Sequence, residues 1–262
     1  VAEWDAVAAS YEEALEPTTA GFADRYRDVV DGTVADIGAG PGVVSVSLAK
    51  AGVEVVATDL SAAMVDQLVA RVDRLALAAH VHAFVADAQS LPLADNSVDG
   101  AVSNFGIIFC PDVDAALREM VRVARNAVAF TAWTSAANNG WTWLLPDGYE
   151  DELGFQLSTR PMFKWTAIDE LRDACTRAGW LAVDIELGDA PATTYPSWRD
   201  IGDVLERPAT KAAIASLTND QQTRLGAYLE VRAHEAFGDG EVSLPREAWF
   251  VRGRSKKSFA GR

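Results

Sequence analysis

The chain has 262 residues, 49% hydrophobic and 23% charged, with no low-complexity tract or internal repeat, so it is long enough for one large α/β domain carrying an insertion or for two small domains sharing a core. Its 38 acids against 23 bases leave a net charge of −15 spread along the chain, a field that repels polyanions and argues against nucleic acid as a partner. No segment approaches the roughly 20 uninterrupted apolar residues of a membrane span; with an acidic start at Glu3 and Asp5 and two widely spaced cysteines, Cys110 and Cys175, the expectation is a cytoplasmic protein without membrane contact.

Trp4, Val7, Ala8, Tyr11 and Leu15 recur near helical spacing, and Phe22, Tyr26, Val29 and Val30 repeat the pattern after Pro17, which predicts two helices ahead of the sheet. From Thr33 onward, apolar runs of strand length alternate with amphipathic segments of helix length. This is the pattern of a parallel sheet with crossover helices on both faces. Strands are predicted at 33–37, 53–58, 81–86, 98–104 and 126–133. Ser61 suits the cap of a helix carrying Met64, Val65, Leu68, Val69 and Val72, and Asp112 that of one carrying Leu117, Met120, Val121 and Ala124.

Past Trp133 the rhythm breaks. Residues 134–165 read as an aromatic, loop-like insertion, 166–178 as a helix, 180–187 as a strand and 196–237 as polar helical sequence. A turn at Gly238-Asp239-Gly240 and a last strand at 248–252 follow, and Arg252, Arg254, Lys256 and Lys257 read as a solvated basic tail.

Three segments carry chemistry. Val34-Ala35-Asp36-Ile37-Gly38-Ala39-Gly40-Pro41-Gly42 takes a buried strand through glycines into a helix, a turn in which ligand and backbone can touch. A dinucleotide fingerprint would place its third glycine where this chain has Val43, so a pyrophosphate fits this loop less well. Asp59 ends the second strand at the spacing of an acid that binds ribose hydroxyls, with Ser61 left to cap the helix. Asp87-Ala88 follows the third strand, where the carboxylate could accept from an adenine amino group or simply form a turn.

Together these segments closely resemble the class I S-adenosylmethionine-dependent methyltransferases, in particular the small-molecule branch that includes the ubiquinone and menaquinone C-methyltransferases. The resemblance runs from Trp4 through about Trp133 and more loosely through Phe163-Lys164-Trp165 and Ala178-Gly179-Trp180. It implies an α/β, Rossmann-like, seven-stranded sheet in the order 3-2-1-4-5-7-6 with the last strand antiparallel, an N-terminal helical lid and a cap insertion. Residues 1–133 would form the cofactor-binding core with the lid helices, and 134–262 the aromatic lid or cap segments plus the last strands of the same sheet, one domain overall. The implied cofactor is S-adenosyl-L-methionine. Tyr11 would close over it, Asp36, Gly38, Ala39, Gly40 and Gly42 would lie at its methionine part, and Asp59 on the ribose. Asp87 and Ala88 would meet the adenine and Asn104 and Phe105 the sulfonium, with Leu60 and Met64 also in contact.

The chain departs from the family's pattern in two places. Arg125-Asn126-Ala127 replaces the common Pro-Gly-Gly before strand five, and Ser103-Asn104-Phe105-Gly106 lacks the Asn-Pro-Pro-Tyr sequence of enzymes that methylate amide or exocyclic nitrogens. No carboxylates gather for a metal.

Methyl transfer from a sulfonium is an in-line displacement for which a dedicated base is optional. His80 and His82 fall at the wrong end of their strand, which leaves His234 and Tyr11 as candidate catalytic residues. Trp133, Trp141, Trp143, Tyr149, Phe155, Phe163 and Trp165 crowd the segment expected to roof the acceptor. Trp141, Trp143 and Trp165 are the candidate substrate contacts, unless these rings form the cap's own core. The expectation is methyl transfer to the O, N or C of a small aromatic or apolar acceptor by a monomer or homodimer. The alternative is a methyltransferase-fold cyclase, lyase or non-catalytic cofactor-binding partner. An NAD-dependent oxidoreductase is disfavoured by Val43 and by the lack of a tyrosine-lysine hydride site.

Overall fold

The computed structural model describes residues 4–5, 8, 11–12, 16–135, 138–139, 151–154, 163–200 and 214–255. Strands β1 (Thr33–Ile37), β2 (Glu54–Asp59), β3 (Val81–Val85), β4 (Val98–Asn104), β5 (Ala124–Trp133), β6 (Leu181–Tyr195) and β7 (Val242–Arg254) form one seven-stranded sheet in the order β3-β2-β1-β4-β5-β7-β6. The first five pair in parallel, and β7 runs antiparallel to both of its neighbours. This is the architecture that the resemblance implies.

Successive residues of β1 serve opposite faces of the sheet, as the pleat demands. Val34 joins Val55, Ala57, Leu48 and Leu68 on the face covered by α1 (Val43–Lys50) and α2 (Ala62–Arg74). Ala35 and Ile37 join Leu117, Met120, Leu171 and Cys175 on the face covered by α3 (Val113–Val123) and α4 (Ile168–Ala178). Side chains placed by sequence as caps do that work: Ser61 Oγ accepts from the Met64 amide at 3.2 Å, and Asp112 Oδ1 from that of Ala115 at 2.9 Å. A 19-residue helix, α5 (Asn219–Phe237), opens on a capping box between Thr218 and Gln221.

The largest difference from expectation lies in β6, which runs on past the predicted 180–187 to Tyr195, and in β7, which outruns the predicted 248–252 in both directions. Pro191 and Pro245 read as strand breakers, yet their positions tolerate them. β6 is the edge of the sheet and its register shifts between Ala190 and Thr193, while β7 before Ala248 has passed the end of β5 and pairs with β6 alone. The two strands thus form a ribbon standing above the C-terminal edge of the sheet, buttressed by Val242, Leu244, Tyr195, Trp198 and Phe237. The basic tail is also corrected: Arg252 lies within β7, 2.6 Å from both Asp184 and Glu186, and Arg254 ends the strand. Lys256 and Lys257 lie outside the described residues.

Of the expected roof, Trp141, Trp143, Tyr149 and Phe155 fall outside the described residues. Trp165 is 5% exposed, its ring centroid 5.8 Å from that of Phe130, and its carbonyl accepts from Trp249 Nε1 at 3.1 Å. It packs into the core of the main sheet, which is neither a pocket wall nor a separate core of the cap. Trp165→Ala is expected to lower unfolding free energy by about 3 to 5 kcal/mol, the usual loss for a buried indole. Denaturant titration measures it, and a loss under about 1 kcal/mol would contradict the core assignment.

Candidate functional site

The strand order reverses between β1 and β4, and the crevice beyond their C-terminal ends is where an open α/β sheet receives a ligand. The loop from β1 into α1 passes through Gly38, Gly40 and Gly42, all at positive φ, but the three glycines are needed for different reasons. A Cβ on Gly38 would lie 2.9 Å from Gly106 Cα, and one on Gly42 2.7 Å from Leu68 Cγ, so both are required by neighbouring chain. A Cβ on Gly40 would meet nothing within 4 Å, because the space beside it is the pocket. Gly106 is a site residue that the sequence did not signal. Its φ of −72° suits any residue, but a Cβ there would lie 2.7 Å from the Gly38 carbonyl oxygen.

Two acids border this loop. Asp36, 1% exposed on β1, accepts from Ser45 Oγ at 2.6 Å through Oδ2, while its buried Oδ1 has no partner. Burial pushes its carboxyl up to about 6, the Ser45 hydrogen bonds oppose that, and the charge of Asp59 adds to it. Asp59 ends β2; its Oδ2 accepts from the Gly40 amide at 2.8 Å and its Oδ1 from that of Ser61 at 2.9 Å. Burial raises its carboxyl too, against the backbone amides of Ser61, Gly40 and Leu60. A carboxylate offers about four acceptor positions, so Asp59 ties down the glycine loop and keeps capacity for a diol. Ser61, free to cap α2, also donates to Asp5 Oδ1 at 2.5 Å.

Asp87 is a turn former here: its Oδ1 accepts from the Gln89 amide at 2.8 Å and from Gln89 Nε2 at 3.0 Å. Gln89, which sequence reasoning passed over, also accepts from the Asp112 amide at 2.8 Å and so ties this loop to the start of α3. Farther along, Arg122 donates to the Leu91 and Leu93 carbonyls at 3.0 and 2.6 Å, and Glu119 accepts from the Leu91 amide at 2.7 Å.

The N-terminal residues close the other side. Tyr11 is half-buried against Met64 and Ala8, and its phenol is pushed up to about 12, by burial first and then by the charges of Asp59 and Glu16. Trp4 meets Phe109 edge to face, centroids 4.9 Å apart. Glu16 holds Arg71 of α2 through two hydrogen bonds of 2.6 and 2.8 Å, and Arg71 lies 3.4 Å from the Pro41 carbonyl. Phe105 sits at φ +60° with its ring stacked 4.0 Å from Trp133.

One pocket thus brings together Tyr11, Asp36, Gly38, Ala39, Gly40, Asp59, Leu60, Met64, Asp87, Ala88, Asn104 and Phe105 of the expected residues. Gly42 packs behind it on Leu68, and Trp165 is not among its lining residues. His234 is not among them either. It is half-exposed on α5, with Nδ1 3.2 Å from Asp239, so of the two candidate catalytic residues only Tyr11 reaches the pocket. Cys110 also lines it, its thiol pushed up to about 12 by burial and then by Asp87 and Asp59. A wider open groove between Arg27, Asn126 and Arg252 lies where the strands of the sheet begin or end on the opposite side, away from these residues. Among the described residues no three His, Cys, Asp or Glu side chains group to hold a metal ion, and no helix is long and apolar enough to cross a membrane.

An unpartnered oxygen on a buried acid suits a cation, the void at Gly40 suits a close-lying ligand, and the spare acceptors of Asp59 suit hydroxyls. All three fit S-adenosylmethionine. The buried acid also has a cost that can be read without any ligand. Its folded value near 6 stands above the ordinary 3.8, so the cost, about 3 kcal/mol, is fully present above pH 6 and fades as pH falls toward 4. Asp36→Asn keeps the Ser45 contact without the charge. It is expected to be more stable than the parent at pH 8, with the gap closing between pH 6 and 4.5 in denaturant titrations. A variant less stable than the parent at pH 8 would contradict the buried, uncompensated acid.

Comparison with known proteins agrees with this geometry. A family model described as a methyltransferase domain matches residues 35–131. The malonyl-[acyl-carrier protein] O-methyltransferase of Pseudescherichia vulneris is 40% identical over 107 residues, 40% of this chain and 40% of that protein. The demethylmenaquinone methyltransferase of Corynebacterium glutamicum is 40% identical over 92 residues, 35% of this chain and 36% of that protein. The chain therefore spans about 40% or less of the length of these curated relatives. Over most of its length it superposes on the YcgJ protein of Bacillus subtilis, with a TM-score of 0.62 and 17% identity, covering 90% of this chain and 97% of that one. The matched segment, residues 35–131, is a methyltransferase domain that builds most of the pocket, and the full strand order follows the plan of the class I S-adenosylmethionine-dependent methyltransferases.

Proposed function

We propose that this chain moves a methyl group from S-adenosylmethionine to a small, aromatic or apolar organic acceptor. The observation that carries the reading is a buried acid with one unpartnered oxygen, Asp36, in a pocket whose other wall is the aromatic residues Trp4, Phe105 and Phe109. The net charge of −15 favours a cationic cofactor and disfavours nucleic acid as acceptor. Residues 1–133 supply the cofactor half, 134–262 add the aromatic lid or cap segments and the last strands of the same sheet, and the whole works in the cytoplasm on a free small molecule.

The cofactor supplies an activated methyl group on a sulfonium. The chain binds, aligns and dehydrates. Asp36 would hold the cofactor's amino group, the Gly40 backbone would meet its methionine part and Asp59 would take its ribose hydroxyls. Asp87 and Ala88 would meet the adenine, and Asn104 and Phe105 the reacting end. Burial pushes the Tyr11 phenol and the Cys110 thiol up to about 12, so both hold their protons at neutral pH. An acceptor with its own lone pair needs no dedicated base, and the aromatic wall orients it and excludes water.

Calorimetric titration with S-adenosylhomocysteine tests the cofactor half. Asp59→Ala is expected to weaken binding by about 1.5 to 3 kcal/mol, since it removes an acceptor of charge-assisted hydrogen bonds. Gly40→Val is expected to abolish binding, because a branched side chain at φ +55° is strained and fills the pocket. Unchanged affinity in both variants would remove this pocket from the reading. Incubation with methyl-labelled cofactor and a panel of aromatic and aliphatic acceptors tests the rest. Labelled product from small acceptors supports it, whereas saturable cofactor binding without transfer to any of them favours the non-methylating alternative.

A further inference from the structure

Phe105 is a bulky residue in the left-handed region, at φ +60°, and something must hold it there. It follows Asn104, the last residue of β4, and both line the pocket. Across the sheet, the Cα partner of Asn104 is Thr131 of β5, fully buried and absent from the pocket wall. The Thr131 hydroxyl accepts from the Phe105 amide at 3.1 Å and donates to Asn104 Oδ1 at 2.8 Å. One oxygen thus fixes both residues of the turn.

The contacts continue on each side of that oxygen. Tyr26 OH lies 3.2 Å from it and donates to the Ser103 carbonyl at 2.9 Å. With Asn104 Oδ1 committed to Thr131, the amide's Nδ2 points the other way and donates to the Thr19 carbonyl at 3.2 Å. Thr19 also lines the pocket and is hydrogen-bonded through its own hydroxyl to the Glu16 carbonyl. A chain of hydrogen bonds therefore runs from β5 through the pocket floor to the N-terminal segment beside it.

Resting on the cofactor reading above, we infer that Thr131 is a positioning residue: its hydroxyl holds the Asn104-Phe105 turn in the shape that receives the cofactor and orients the Asn104 amide toward the closing segment. Valine has nearly the same shape and neither donor nor acceptor, so Thr131→Val would leave the Phe105 amide buried and unpaired and would release Asn104 Oδ1 from its partner. The turn would then relax out of the left-handed region. Serine keeps the oxygen and loses only a methyl group.

The test is calorimetric titration of S-adenosylhomocysteine into wild-type, Thr131→Val, Thr131→Ser and Tyr26→Phe protein, with thermal melting to establish the folded fraction. Expected is binding at least tenfold weaker per folded molecule in Thr131→Val, but within about threefold of wild type in Thr131→Ser and Tyr26→Phe, both of which keep the Thr131 oxygen. If the valine variant does not fold, Thr131→Ala removes the same hydroxyl and carries the same expectation. A valine or alanine variant that melts early yet binds like wild type shows the hydroxyl to be structural only and overturns the inference, leaving the cofactor reading intact. A serine variant as weak as valine overturns it too, since the methyl group would then be what matters. Wild-type protein that does not bind overturns the cofactor reading and this inference together.

Discussion

Gly38, at the exit of β1, and Gly106, beyond the exit of β4, pass so close that a Cβ on either would lie within 2.9 Å of the other's backbone. That approach brings the glycine loop against the end of β4 at the point where the strand order reverses. It also sets the distance between the two walls of the pocket, the Asp36 side and the Phe105 side. A side chain at either glycine would wedge these walls apart, whatever the quality of the rest of the core. The sheet, its covering helices and the caps at Ser61 and Asp112 bring the two backbones to this meeting point.

The electrostatics of the pocket follow from what the glycine loop does with its neighbours. Asp59 spends part of its acceptor capacity on the Gly40 and Ser61 amides, which pins the loop and moderates the effect of its own burial. Asp36 has one such partner, Ser45, and an oxygen left over. A protein that had only to fold would gain by replacing it with a neutral residue. A protein that must bind a cationic amine gains by keeping it, which is the usual sense in which a binding site sits off the stability optimum.

The parallel core was legible because its signals are local. Alternating strand and helix periods, a glycine loop, and Ser or Asp ahead of an apolar run each state their element within a few residues, and β1 and β4 end where the pattern says. The long ribbon of β6 and β7 was not legible. Pro191 and Pro245 are breakers locally, and only the pairing partners show that they stand where a ladder bond is dispensable. Trp165 could not be assigned to roof or core by sequence, since both are aromatic. Its contacts with Phe130 and Trp249 decide for the core.

Within the site, residues that act through their own side chain at a strand end, Asp36 and Asp59, could be named in advance. Residues that act through shape or through another residue could not. Gly106 has an ordinary φ and gives no signal, Gln89 reads as one polar loop residue among several, and Thr131 reads as an unremarkable member of a buried strand. His234 was a reasonable candidate by residue type alone, but α5 carries it to the surface beside Asp239. The most direct measurement of the central claim is the crystal structure of the chain with S-adenosylhomocysteine. The expected result is a ligand between the glycine loop and the Asn104-Phe105 turn, with its amino group on Asp36 Oδ1 and its ribose hydroxyls on Asp59. A ligand seated elsewhere, or one that leaves Asp36 Oδ1 without a partner, would contradict it.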